Sequence, residues 1–311
     1  MRRKTNTIID PEKCTGCGLC VKVCPSDTLT MKDGKAVVTG PYSLGCEHCV
    51  AVCPVDAVTV GFVDSDALRF ETLPNDDEYV KPGSYDAAAL IRLMKSRRST
   101  RDFAPDPLPL SRLNDFVRIG LTAPTGTNSQ LWTFTIIPDR DSVAAFAKQL
   151  GRFFEKLNKM AESALARGIS RVFMKDVLGE YYQDYYESVK EGLRQYREEG
   201  RDRLFHGAPA VILIGSAPGA SCPAEDALLA TQNIVLAAHA LGYGTCLIGF
   251  AVEAMKNDPK LKDFLGIPRD EKIYSVIALG KPREKYRRPA GRKKVTPRVF
   301  SVSASRPETR R

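Results

Sequence analysis

The sequence predicts an α+β protein of two domains, and three observations predict it. Seven of the nine cysteines fall between Cys14 and Cys53, in two runs offset by 29 residues. Beyond them, three short apolar runs, Phe134–Ile137, Ala208–Gly215 and Ile273–Gly280, are flanked by turn formers and read as strands. Between these runs lie stretches with helical character, residues 141–205 and Glu225–Leu241, the second stopped by Gly242. A chain of 311 residues is long enough to bury a core in each part.

Composition is that of a soluble globular chain, 43% hydrophobic and 27% charged, and no apolar run reaches the length of a membrane span. The stretch Met1–Asp10 carries charge with no apolar core behind it, so it is not read as a secretory signal and a cytoplasmic location is expected. In a reducing compartment, cysteines at ligand spacings indicate metal or cluster ligation rather than disulfides. The formal charge of +9 is uneven: Lys281–Arg311 holds twelve Lys or Arg against Glu284 and Glu308. Such a tail suits nucleic acid, but no recognition fold accompanies it, so no nucleic-acid partner and no membrane partner is expected.

Taken in order, Cys14-x2-Cys17-x2-Cys20-x3-Cys24-Pro25 has the spacing of bacterial ferredoxins, in which three close cysteines wrap one cubane and the fourth turns toward another. A zinc site uses two separated pairs instead. The repeat matches Ile8–Ile9 with Val37–Val38, Gly16–Cys17 with Gly45–Cys46, Cys20 with Cys49, Val23–Pro25 with Val52–Pro54 and Asp27 with Asp56. Residues 5–62 therefore resemble the two-cluster ferredoxins. That resemblance implies two [4Fe–4S] clusters with crossed ligation, one on Cys14, Cys17, Cys20 and Cys53 and the other on Cys46, Cys49 and Cys24. Cys14 matches Ser43, so the fourth thiolate of the second cluster is missing. Serine ligation, a water-bound iron, a [3Fe–4S] cluster and a vestigial site all remain open. Residues 63–85, rich in acids with two prolines, read as a linker, and apolar spacing over Ala87–Lys95 predicts a helix.

That helix leads into Arg97-Arg98-Ser99-Thr100-Arg101, three cations with hydroxyls, which suit a phosphate through charge-assisted hydrogen bonds. Ala123–Trp132 follows, rich in turn formers and small hydroxyl residues, and offers backbone amides, Asn128 and Gln130 to a flat polar ring. Phosphate and heteroaromatic together describe flavin mononucleotide (FMN).

From about residue 86 to 285 the chain resembles the nitroreductase-like flavoproteins, on several separated motifs. The resemblance implies a mixed, mostly antiparallel sheet with helices around it, and an obligate homodimer with FMN at the subunit interface. It assigns Arg97, Arg98, Ser99 and Arg101 to the FMN phosphate and ribityl chain, and Pro124, Thr125, Gly126 and Asn128 to the flavin. Leu131 stands where family members commonly have proline. Gly242–Phe250 resembles the family's glycine-rich loop, with Ile248 and Gly249 where a backbone amide faces flavin N5. A basic residue after the last strand closes on the phosphate, with Arg288 and Arg292 as candidates within a C-terminal extension, residues 286–311. The helix Glu225–Leu241 matches one in the dimer core, and His239 on it is expected to be packed rather than catalytic. Cys222 and Cys246 are expected to be buried free thiols. Tyr181, Tyr182, Tyr185 and Tyr186 are spaced as one aromatic face of a helix. Residues 301–311 are expected to lack order.

The fusion implies an FMN-dependent, nitroreductase-like oxidoreductase. Clusters handle single electrons, and a flavin pairs them. The expected acceptor is an electron-poor organic molecule, a nitroaromatic, quinone or activated alkene, with reduced ferredoxin or NAD(P)H as donor. No essential acid or base side chain is expected. The competing readings are an electron-transfer or redox-sensing protein with no small substrate, and another chemistry on the same fold, such as reductive dehalogenation or flavin destruction.

Overall fold

Short strands and left-handed turns build the cysteine-rich unit in this computed structural model, which describes residues 3–64, 66–173 and 175–302. Its strands are β1 (Arg3–Lys4), β2 (Thr7–Ile9), β3 (Leu29–Lys32), β4 (Lys35–Val38), β5 (Tyr42–Ser43) and β6 (Val58–Val60). They pair antiparallel as β2 with β6, β3 with β4 and β1 with β5. Two short helices, α1 (Leu19–Val23) and α2 (His48–Ala51), follow the cysteine loops. The duplication extends to the backbone: Gly16 and Gly45 have φ of 75° and 63°, Gly18 and Glu47 of 73° and 58°, and Asp27 and Asp56 both 49°. Glu47 holds a left-handed conformation that glycine supplies in the other half, at a steric cost from its Cβ.

The 63–85 segment forms no helix or strand among its described residues. It is nonetheless strapped to the larger unit. The N–H groups of Glu71 and Thr72 donate to the two oxygens of buried Asp115, each at 2.7 Å, and the Thr72 hydroxyl donates there too. Arg118 closes the strap on Glu71 at 2.7 Å and on Asp115 at 3.1 Å.

The larger unit runs α3 (Ala87–Ser96), α4 (Leu110–Leu121), β7 (Trp132–Ile137), α5 (Arg140–Glu162), α6 (Ala164–Phe173), α7 (Val177–Asp184), α8 (Tyr186–Glu199), β8 (Ala210–Ser216), α9 (Pro223–Ala240), β9 (Gly244–Leu247), α10 (Gly249–Asn257), α11 (Pro259–Phe264) and β10 (Lys272–Gly280). Asp86 and Asp139 cap α3 and α5 by accepting from Ala89 and Ser142 N–H groups, each such cap being worth about 1 kcal/mol. The sheet order is β7-β8-β10-β9, and every ladder is antiparallel. The parallel component of the expected mixed sheet is confined to an isolated bridge, Ser99 to Thr245.

Every residue of β8 is buried, because helices cover both faces of the sheet. Alternation sends Val211 and Leu213 into a core with Phe146, Leu150 and Met255 from α5 and α10. Ile212 and Ile214 face Leu113, Phe116 and Ile234 from α4 and α9. Fully burying one such side chain stabilises by roughly 1.5–3 kcal/mol.

The tyrosine face requires a correction. No single helix carries it: α7 ends at Asp184, Tyr185 adopts φ −127°, and α8 restarts at Tyr186. The break still brings the rings together, Tyr181 on Tyr185 at 6.3 Å and Tyr182 on Tyr186 at 4.8 Å between centroids. Disorder expected over 301–311 concerns, from residue 303 on, positions outside the described residues.

Candidate functional site

Two cavities of nearly equal size, about 320 and 310 Å³ including their open mouths, sit in the cysteine unit. Cys14, Cys17, Cys20 and Cys53 line one; Cys24, Cys46, Cys49 and Ser43 line the other. Each cavity therefore draws one ligand from the opposite half, as the crossed arrangement implies. Among the described residues no three His, Cys, Asp or Glu side chains converge on a single-ion site; the thiols ring a space instead. Backbone amides aim at the sulfurs in matched pairs, Thr28 N–H to Cys24 at 3.4 Å and Ala57 N–H to Cys53 at 3.2 Å. Cys20 and Cys49, at matching positions, are both pushed up from the ordinary thiol pKa by burial. N–H donors at Ala36 and Gly16 pull Cys14 down. At the matching position the Gly45 N–H donates to Ser43 Oγ at 3.0 Å. Donor set and space thus fit iron–sulfur groups in both halves, with an oxygen in place of one sulfur.

The basic run lies at the Gly280 end of the sheet. The Thr100 N–H donates to Thr245 O at 2.9 Å, and the Arg283 N–H donates to Asp102 O at 3.0 Å. The run is thereby held between β9 and the segment after β10. The Arg97 and Arg101 guanidiniums have no ion-pair partner among the described residues. Their positive charge adds to burial in lowering the His239 pKa (Arg97) and the His206 pKa (Arg101). Glu284 tempers the cluster by accepting from the Arg101 N–H at 2.7 Å. Arg98 turns instead over the Tyr286 ring, 4.5 Å from its centroid. Arg288 is exposed, and Arg292 donates to the Ala290 and Gly291 carbonyls of its own turn.

Of the two glycine-loop residues, Ile248 is buried and its N–H is taken by Val276 O at 2.8 Å. Pairing with β10 therefore occupies the Ile248 amide. Gly249 is exposed, opens α10, and a Cβ there would meet nothing within 4 Å. The first amides of a helix lack internal acceptors, so Gly249 offers a donor beside open space. Tyr185 packs edge-on against Phe250, the next residue, at 5.8 Å. Cys246 is buried, as expected, whereas Cys222 and His239 are half-buried.

The turn-rich run lies at the opposite end of the sheet, where Trp132, Ser216 and Lys272 align. Asp226, buried in the first turn of α9, organises it by accepting from Gly126 N–H at 2.8 Å and from the Ser129 hydroxyl at 3.3 Å. Thr125 Oγ1 accepts from Gln130 N–H, and Pro124 is exposed. Thr127, Asn128 and Gln130 all have positive φ, near 50°, a concentration of strain that marks functional loops. Asn128 directs its amide nitrogen to the carbonyls of Gly45 at 2.9 Å and Leu44 at 3.3 Å. Arg3 completes this junction, donating to Leu44 O at 2.7 Å and Asn128 O at 3.2 Å while stacking over Phe62. The cysteine unit therefore touches the turn-rich run directly beside Ser43 and Cys46. Arg3, Asp226 and Asp115 escaped the sequence reading, since each acts on a partner distant along the chain.

Two family models match the two parts of the chain separately. A family model for the nitroreductase family matches residues 94–281, more than half of the chain, and one for the 4Fe-4S binding domain matches residues 7–30. The chain belongs to the nitroreductase family. As a member of that family with a 4Fe-4S motif, it is an oxidoreductase by class. It is 22% identical over 219 residues to an iodotyrosine deiodinase of Nematostella vectensis, covering 68% of this chain and 73% of that protein. The match to the Drosophila melanogaster iodotyrosine deiodinase spans 64% of that protein's length. A putative NADH dehydrogenase/NAD(P)H nitroreductase of Archaeoglobus fulgidus is 24% identical over 62% of this chain and 86% of its own. Among solved structures, an FMN-bound nitroreductase from Bacteroides fragilis is similar at 22% identity and a TM-score of 0.46, covering 68% of this chain and 97% of the other. Among the described residues of this nitroreductase-family chain, no helix is long and apolar enough to cross a membrane.

Proposed function

We infer that the chain is an iron–sulfur flavoprotein oxidoreductase that delivers electrons from its N-terminal clusters, by way of FMN, to an electron-poor organic acceptor. Bound clusters supply single electrons, and bound FMN supplies their conversion to a two-electron reductant, with protons from water. The observation that carries this reading is the junction: Asn128, in the run assigned to the flavin, donates to the carbonyls of the cysteine loop itself. Arg97, Ser99 and Arg101 suit the FMN phosphate, and Gly249 N–H suits the ring edge. Pro124, Thr125 and Gly126, assigned to the ring, lead into the strained turn at Thr127 and Asn128. On this reading the acceptor's chemistry rests on binding over the flavin, where Tyr185 and Phe250 offer aromatic surface.

A homodimer is part of the reading. Leu90, Ile91 and Met94 on α3 and Leu228 and Leu229 on α9 are exposed apolar side chains suited to a second copy. Reductive dehalogenation of an aromatic is the second reading, favoured by the iodotyrosine deiodinase relatives. The test is anaerobic turnover of the purified protein with reduced ferredoxin or NAD(P)H, offering a nitroaromatic, a quinone and an iodophenol in parallel. Product formation with the first two supports the proposal. Release of iodide alone supports the second reading, and cluster bleaching without product contradicts both.

A further inference from the structure

Within one chain, the two runs assigned to the flavin stand at opposite ends of the sheet. Gly126 and Ser129 hang from Asp226 in the first turn of α9, whereas Arg97 bears on His239 in its last turn. The two attachment points, Asp226 and His239, are thirteen helical steps apart, about 20 Å at 1.5 Å per step. The sheet agrees: Trp132 aligns with Lys272 at one end of β10, and the strand that bridges Ser99 meets Gly280 at the other. Among the described residues, all hydrogen bonds between residues 3–62 and the larger unit fall at the Asp226 end, on Asn128. Within one chain, the Cys24, Cys46, Cys49 and Ser43 cavity therefore adjoins the turn-rich run and is remote from that chain's own cations.

On the functional reading above, a flavin that touches both runs takes them from two copies. We propose that this cysteine cavity serves in trans, standing beside the flavin whose phosphate is held by Arg97, Ser99 and Arg101 of a second copy. Arg3 and Asn128 are the positioning residues that seat it there. The exposed leucines on α9 and the apolar face of α3 supply surface for that second copy along the helix separating the two runs.

Mixed dimers test this. One chain carries Arg97→Ala and Arg101→Ala with its cysteines intact; the other carries Cys46→Ala and Cys49→Ala with its cations intact. The chains bear different affinity tags, and the mixed dimer is purified anaerobically. Flavin fluorescence reports proximity to a cluster, and flavin bleaching by a reduced two-cluster ferredoxin reports delivery. The proposal expects the flavin of the mixed dimer to be quenched relative to the cysteine-variant homodimer. It also expects bleaching to about half the wild-type amplitude, since one of two equivalent sites is rebuilt. Fluorescence and bleaching no different from the cysteine-variant homodimer overturn it. If the cysteine variant does not fold, Arg3→Ala with Asn128→Ala replaces it in the cation-bearing chain, with the same two expected outcomes. A wild-type dimer that binds flavin yet shows neither quenching nor bleaching overturns the functional reading, and this proposal with it.

Discussion

The two ends of the sheet are built on different principles. At the Gly280 end, Arg97 and Arg101 have no ion-pair partner among the described residues, and their run is positioned through its backbone amides, Thr100 N–H on Thr245 O and Arg101 N–H on the Glu284 carboxylate. The Lys272 end is organised from a side chain instead. A buried carboxylate, Asp226, gathers a strained turn and presents it to the cysteine unit. One end is suited to hold an anion, the other to hold a domain. A single chain keeps these tasks about 20 Å apart along α9.

The comparison breaks most readily at Asp226. Asp226→Ala strands the Gly126 N–H and the Ser129 hydroxyl in a buried place, with an expected loss of about 2–4 kcal/mol in denaturant unfolding. The same change should release the junction, seen as faster proteolysis near residue 63, while leaving anion binding at Arg97 intact. Unchanged stability removes Asp226 from its organising role. At the other end, Gly244→Ala places a Cβ 2.3 Å from Thr100 Oγ1 and 2.8 Å from Thr100 Cβ. It should cost about 1–3 kcal/mol and weaken flavin retention without disturbing the cysteine unit. Arg101→Ala should weaken FMN binding about 10- to 100-fold in a fluorescence titration, the loss of a charge-assisted contact of about 1.5–3 kcal/mol.

A smaller effect separates the strap from both ends. Burial by itself raises the Asp115 carboxyl pKa, but hydrogen bonds from Thr72, Glu71 and Arg118 outweigh it and hold the acid below the usual carboxylate range. Because the folded value lies below the unfolded one, the strap stabilises fully above an unfolded pKa of about 3.9 and is lost as pH falls through the folded value. Asp115→Asn should flatten that acid-side loss in a pH series of melting temperatures. A wild-type profile already flat there contradicts the strap. Ser43→Cys should change the cluster spectrum with least effect on stability, because Gly45 N–H already serves the side chain at that position.

How far these features were legible depended on how far apart in sequence the partners lie. The cysteine duplication was readable because ligand spacing and the 29-residue offset are local. The structure extends it to φ values at Asp27 and Asp56 and to amide–sulfur bonds at Cys24 and Cys53. Strands at β7, β8 and β10 were readable from short apolar runs. The break at Tyr185 was not, since no glycine or proline marks it. Asn128 was readable as a candidate site residue, but its engagement with Leu44 and Gly45 spans more than eighty positions, and Arg3 reaches it across 125. Ile248 illustrates the remaining limit: a motif locates a backbone amide, and only β10 pairing reveals that the amide is already used.

The account stands or falls most directly on what the anaerobically purified chain carries. Quantifying iron, acid-labile sulfide and flavin in one preparation tests it, with an absorption spectrum that bleaches in both the cluster and flavin bands on reduction. The prediction is that all three are present together and that Arg101→Ala lowers flavin while leaving iron and sulfide unchanged. A colourless chain, or one that holds iron but never flavin, contradicts it.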